Sequence, residues 1–224
     1  MKSFRETRSD RPVVKKNSKP IQNNMKTVLI LFLGFTTIAV GAQDLLFIEE
    51  IETFQEELNN EFKNPEKSPL TRREQRKFKG HDFFPINKFF RVEAQFIRSQ
   101  DEVPFQMKTT TDRVPIYEKY GEVVFKIENK KYKLNIYQSH RLRKMEKYKN
   151  HLFLPFTDLT NGEQSYGGGR YIDLSIPHTD SIIIDFNKAY NPYCAYSSTR
   201  SCPIPPRENN LDLKVEAGVR IVNH

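Results

Sequence analysis

From Phe83 onward the apolar residues of this 224-residue chain fall at every second position, and that spacing limits what it can fold into more than any other feature. In Phe90-Arg91-Val92-Glu93-Ala94-Gln95-Phe96-Ile97 the apolar and polar residues alternate. Only a strand, whose side chains point to opposite faces in turn, turns that pattern into one buried face. Glu122–Ile127 and Tyr132–Gln138 repeat it around Asn129-Lys130 and predict a β-hairpin. His151–Phe156, Tyr171–Ile176, Ser181–Phe186 and Leu211–Glu216 supply further short strands, separated by turn clusters at Asn161-Gly162 and Gly167-Gly168-Gly169. Pro104–Thr111 and Val114–Tyr117 are each tied to a proline, which a central strand would reject, so they are expected as edge strands. The fold expected is mainly β (a β-rich α+β protein): an antiparallel barrel or sandwich of about eight short strands with one or two N-terminal helices.

The helical flank is expected over residues 43–80 and the β-rich part over 81–224, together one compact unit. In Asp44–Lys63 the apolar residues Leu45, Ile48, Ile51, Phe54, Leu58 and Phe62 recur at spacings of three and four, the mark of an amphipathic helix. Asn64-Pro65 stops it, and Ser68-Pro69 is expected to start a second, short helix with Pro69 in its first turn.

Residues 1–42 read as a leader: a basic start, the apolar run Val28–Val40, and the small-residue ending Val40-Gly41-Ala42 that suits cleavage before Gln43. Thirteen apolar residues fall short of the roughly 20 that cross a bilayer, so no stable membrane span is expected after cleavage. Met25 followed by Lys26 would open a conventional signal, so residues 1–24 read either as an upstream extension or as a misassigned start ahead of Met25. Export to the periplasm or the cell exterior follows. The leader also carries most of the formal charge of +8: with eight bases and two acids in it, residues 43–224 keep 28 bases and 26 acids, a net of +2. Nucleic acid thereby loses its electrostatic support as a partner, and the basic stretch around Arg141, Arg143, Lys144, Lys147 and Lys149 reads as solvated surface.

Polar residues gather between Asp158 and Asn209. In Tyr166-Gly167-Gly168-Gly169-Arg170 the glycines would let a backbone approach an anionic ligand while Arg170 grips a carboxylate or phosphate with its fork. The phosphate-loop ending in Lys-Ser/Thr is missing, and a tight link between strands is the competing reading. Asp185-Phe186-Asn187 and Tyr190-Asn191 leave a buried strand and add carboxylate, amide and phenol groups, although Asp and Asn also cap turns for local reasons. Asp173 on another strand is a partner for Asp185 in acid–base work, with Glu208 as a further candidate beside Asn209. The proline-rich run from Cys202 to Asn210 is extended and forms either a pocket wall or a stapled surface loop.

Cys194 and Cys202, separated by seven residues in the exported part, are expected to form a disulfide. No metal or cofactor motif is seen: the five histidines (His81, His140, His151, His178, His224) are scattered without ligand spacing, and no Gly-x-Ser-x-Gly elbow is present.

On Phe153–Phe156 with Asp158, Tyr166–Tyr171, the run Asp185–Tyr196 and the run Cys202–Leu211, the chain resembles the bacterial family known as domain of unknown function 1684 over roughly Leu46–Ile221. Family members typically read Asn-Pro-Pro-Cys where this chain has Asn191-Pro192-Tyr193-Cys194. The resemblance implies a shared fold and a shared special region, without an activity to transfer. The leading functional expectation is an exported module binding a small polar or anionic ligand near Tyr166, Gly168, Gly169, Arg170, Asp185, Asn187, Tyr190, Asn191, Glu208 and Asn209. The alternatives are a hydrolytic enzyme using Asp173, Asp185 or Glu208, and a structural or protein-interaction module of the cell envelope.

Overall fold

The computed structural model describes residues 25–221, so the extension expected over residues 1–24 lies outside the described residues. Two compact units are distinguished, one up to Asp44 and one from Leu45. Helix α1 (Met25–Lys63) continues through the boundary where the sequence places the start of a helix. Within the second unit it buries Phe47, Ile51 and Phe62, which lie on one face at helical spacing. It stops where Pro65 follows Asn64. Among the described residues no helix is long and apolar enough to cross a membrane.

The second helix, α2 (Arg72–Lys77), begins later than Pro69 predicts. Thr71 is its N-cap, accepting from the Glu74 N–H while the Glu74 carboxylate accepts from the Thr71 N–H. This reciprocal capping satisfies two donors that Pro69 could not reach, and it sets the start of the helix.

Eight strands follow: β1 (Arg91–Arg98), β2 (Phe105–Gln106), β3 (Ile116–Ile127), β4 (Lys130–Ser139), β5 (His151–Asp158), β6 (Arg170–Ser175), β7 (Ser181–Asp185) and β8 (Asn210–Leu211). They form one sheet in the order β6-β5-β4-β3-β1-β7, with β2 on β3 and β8 on β5, curled into a half-barrel. All pairings are antiparallel except that of β8 with β5. Three expectations are corrected. Val114–Tyr117 is no separate edge strand: it leads into the 12-residue β3, which crosses Glu118–Gly121 by a register shift between Lys119 and Gly121. At Gly121 a Cβ would stand 2.6 Å from the Ile97 carbonyl, so only glycine lets β1 pass this close. Pro104–Thr111 shrinks to two paired residues, and Leu211–Glu216 pairs only at its first residue.

The period-two pattern becomes one apolar face. Val92, Ala94 and Phe96 of β1, Val123, Phe125 and Ile127 of β3, Leu134 and Ile136 of β4, Leu152, Leu154 and Phe156 of β5 and Ile184 of β7 are packed in the main core. The opposite face carries a smaller cluster: Tyr117, Tyr137, Phe153 and Tyr171, with Met107. That second face holds the site.

Candidate functional site

Strand register builds the site. β5 and β6 pair so that Phe153 stands opposite Asp173 and Pro155 opposite Tyr171. His151, Phe153, Tyr171 and Asp173 therefore share one face, and His151 reaches Asp173 diagonally. His151 Nε2 lies 2.8 Å from Asp173 Oδ1. A carboxylate only accepts, so Nε2 carries a proton in this bond. The other ring nitrogen, Nδ1, is buried and has no hydrogen-bond partner. Tyr190 is brought alongside by a backbone bridge to Tyr171 (2.9 and 3.0 Å), and its hydroxyl donates to Asp173 Oδ2 at 2.8 Å. Both oxygens of Asp173 are thus held, while half of its side chain stays exposed (52 %).

These residues line a cavity of about 600 Å³, within the usual range for small-molecule sites. Rings of Tyr117, Phe153, Tyr171, Tyr190 and Tyr193 form its walls, with Phe54, Glu57, Leu58 and Glu61 from α1, Arg141, Met145 and Tyr148 from the β4–β5 connection, and Cys202-Pro203 from the extended loop. Tyr193 donates its hydroxyl to Glu61 Oε1, and Tyr171 to the Pro203 carbonyl. Burial raises the phenol pKa values of Tyr117, Tyr171, Tyr190 and Tyr193, with the Asp173 charge adding to the rise at Tyr190 and the bond to Glu61 at Tyr193. All four hydroxyls therefore stay protonated at neutral pH.

Of the residues expected at a site, Asp173 and Tyr190 line this cavity. Most of the others hold the chain together. Arg170 is fully buried and donates to Asp158 Oδ2 (2.8 Å), at the end of β5, and to the Val215 carbonyl (2.8 Å). Gly169 (φ +88°) is buried, and a Cβ there would stand 2.6 Å from the Phe156 carbonyl and 2.7 Å from Pro205 Cγ. Gly168 is exposed beside the Tyr166 ring. Asp185 borders a smaller cavity of about 320 Å³ together with Asp173, Arg91 and Lys188, and its carboxylate accepts from Arg91 Nη1 (2.9 Å) and from the Asn187 N–H (3.0 Å). Asn187 exchanges two hydrogen bonds with the Asn87 backbone, and Asn209 does the same with Asn135 while also donating to the Pro155 carbonyl. Asn191 donates to the Arg220 carbonyl at 2.9 Å. Glu208 is exposed on the turn Arg207–Asn209, outside the cavity lining.

Cys194 and Cys202, the pair expected to form a disulfide, stand side by side as free thiols, with the Cys194 N–H donating to Cys202 Sγ at 3.2 Å and the Tyr166 hydroxyl 3.8 Å from Cys194 Sγ. The hydrogen bond from the Cys202 thiol holds the Cys194 thiol down to about 6, and the same shared proton raises Cys202. Among the described residues no group of three or more His, Cys, Asp or Glu is placed to hold a metal ion.

His151, Glu61 and Arg141 escaped the sequence reading. The available signal was the alternation His151-Leu152-Phe153, which puts the histidine on the face opposite Leu152; its partner 22 residues on depends on the register of β5 against β6.

Half-barrel and cavity together define a small β-rich protein with a ligand-sized cavity on the second face of its sheet. Residues 76–220 match the family model described as "Protein of unknown function (DUF1684)", and the chain belongs to that family. The solution NMR structure of an uncharacterized protein from Haloarcula marismortui is similar, with 32% sequence identity, a TM-score of 0.62, and coverage of 80% of this chain and 96% of that one. No curated protein matches.

Proposed function

We propose that the chain is a binding module for a small polar ligand seated in the cavity of about 600 Å³ beside Asp173. The observation that carries this reading is the half-exposed Asp173 carboxylate, held by His151 and Tyr190 on the cavity wall. A carboxylate oriented in this way keeps acceptor lone pairs for a ligand donor at little further ordering cost. Arg170, the residue expected to grip an anionic ligand, pairs with Asp158 instead and does not line the cavity. The test is a ¹H–¹⁵N NMR titration with polyols, amines and carboxylates. Shifts confined to His151, Asp173, Tyr190 and Tyr193, lost in Asp173→Ala, are expected; hits mapping elsewhere, or none, overturn it.

Hydrolysis is the second reading, favoured by the Asp173–His151 hydrogen bond, with Asp173 as acid or base. Any substrate turned over should then survive binding but not turnover in Asp173→Asn.

The proposed setting is the periplasm or cell exterior, reached by cleavage between Ala42 and Gln43. The boundary between the compact units after Asp44 supports it, since cleavage there would leave Leu45–Lys63, with its cavity residues, on the mature chain. In that compartment the adjacent thiols of Cys194 and Cys202 would close to a disulfide, fixing the cavity wall at Cys202-Pro203. Mass spectrometry of protein purified from its host should find a chain starting at Gln43 and lacking two hydrogens. A retained leader or two alkylatable thiols would overturn these assignments.

A further inference from the structure

We infer that the ligand class of this cavity is an organic cation, an amine or quaternary ammonium group with a small apolar body; this rests on the cavity's being a binding site. The walls carry the inference. Tyr171 and Tyr190 both line the cavity and meet at 89°, with centroids 5.9 Å apart, so they form two perpendicular panels of a corner. Phe153 stands at 74° to Tyr171 with centroids 4.7 Å apart, adding a third panel. Aromatic faces set at right angles concentrate negative quadrupole on one volume, the arrangement that holds ammonium groups by cation–π attraction.

Charge agrees with the rings. Asp173, Glu57 and Glu61 line the same cavity against the single guanidinium of Arg141. Asp173 accepts from Tyr190, a member of the corner, which places a fixed negative charge at the edge of the aromatic panels. The hydroxyls of Tyr171, Tyr190 and Tyr193 are already turned to Pro203, Asp173 and Glu61, leaving the rings, rather than the phenol protons, for the ligand. A carboxylate ligand would meet three like charges; a neutral body of the same shape would lose both the ring and the carboxylate attraction.

The test compares three probes of one bulk and three charges: choline, dimethylbutanol and dimethylbutyrate, with glucose as a neutral polyol, each titrated by calorimetry and ¹H–¹⁵N NMR at low salt. Choline is expected to shift the amides of Phe153, Tyr171, Asp173 and Tyr190 and to bind at least about tenfold more tightly than dimethylbutanol. Its methyl protons should move upfield in the ring currents. Asp173→Asn should weaken choline about tenfold without changing dimethylbutanol, with an unchanged melting temperature as the check on folding. If that variant does not fold, Glu57→Gln on the exposed side of α1 serves, with a loss of about threefold. Glucose or dimethylbutyrate binding in the cavity while choline does not would overturn the cation inference and leave the binding reading standing. No probe of any charge shifting the cavity residues would remove both.

Discussion

Arg170 Nη2 donates to Asp158 Oδ2 at 2.8 Å with both side chains fully withdrawn from solvent. The same carboxylate, through Oδ1, accepts from the Thr160 N–H (2.8 Å) and from the Val215 N–H (3.1 Å). One ion pair thus ties the end of β5, the start of β6 and the C-terminal segment. Removing either partner leaves a buried charge unpaired, so Arg170→Met and Asp158→Asn are each expected to lower stability by about 3–5 kcal/mol. Urea unfolding followed by circular dichroism checks this; a loss below about 1 kcal/mol would show that the pair is dispensable.

Asn209 acts as a piece of backbone. Its Oδ1 accepts from the Asn135 N–H (2.8 Å), and its Nδ2 donates to the Asn135 carbonyl (2.8 Å) and the Pro155 carbonyl (2.6 Å). Aspartate has the same shape without donors. Asn209→Asp should therefore cost about 2–4 kcal/mol at neutral pH, since two carbonyls would face a buried carboxylate. Equal stability of Asn209→Asp and wild type would refute the bonding assigned here.

Gly169 and Gly162 share a left-handed φ, +88° and +86°, but differ in their surroundings. A Cβ at Gly169 would press on the Phe156 carbonyl at 2.6 Å and Pro205 Cγ at 2.7 Å, whereas at Gly162 nothing lies within 4 Å. Gly162→Ala should cost about 1 kcal/mol of backbone strain alone. Gly169→Ala should cost at least about 2 kcal/mol more, through steric overlap with backbone. Thermal melts of the two variants side by side decide it.

His81 makes stability depend on acid. Its ring lies among Phe62, Phe78, Phe83 and Tyr196, and burial pulls its pKa down from 6.5 to about 4. The unfolded chain takes up the proton first, so stability is whole above pH 6.5 and declines as pH falls toward 4, by about 3 kcal/mol across that window. His81→Phe should flatten this part of the curve while losing the bond from His81 Nδ1 to Asn59. Parallel slopes for variant and wild type between pH 7 and pH 4 would assign the acid sensitivity elsewhere.

In the reduced protein Cys194, with its thiol held down to about 6, should be alkylated by iodoacetamide at neutral pH well before Cys202. Cys202→Ala removes the hydrogen bond that favours the Cys194 thiolate, so its alkylation should slow at pH 7 and recover toward pH 9. Unchanged kinetics in that variant would show that the two sulfurs do not share a proton.

The amino-acid sequence alone determined the class of fold, because alternation in Phe90–Ile97 and Tyr132–Gln138 admits only a sheet with one apolar face. It also marked Asp158, Arg170, Asn187 and Asn209 as special, yet their types were equally suited to gripping a ligand and to replacing backbone. Burial decides between these uses, and burial is a property of the packed sheet. Tertiary structure alone brought His151 to Asp173, since a one-residue slip of β5 against β6 would send the two to opposite faces. It likewise brought Glu57 and Glu61 of α1 to the lining of the same cavity as Tyr171 and Tyr190, more than a hundred residues away along the chain. Local periodicity is written in neighbouring residues, whereas a site assembled across strands depends on register and closure, which no neighbour records.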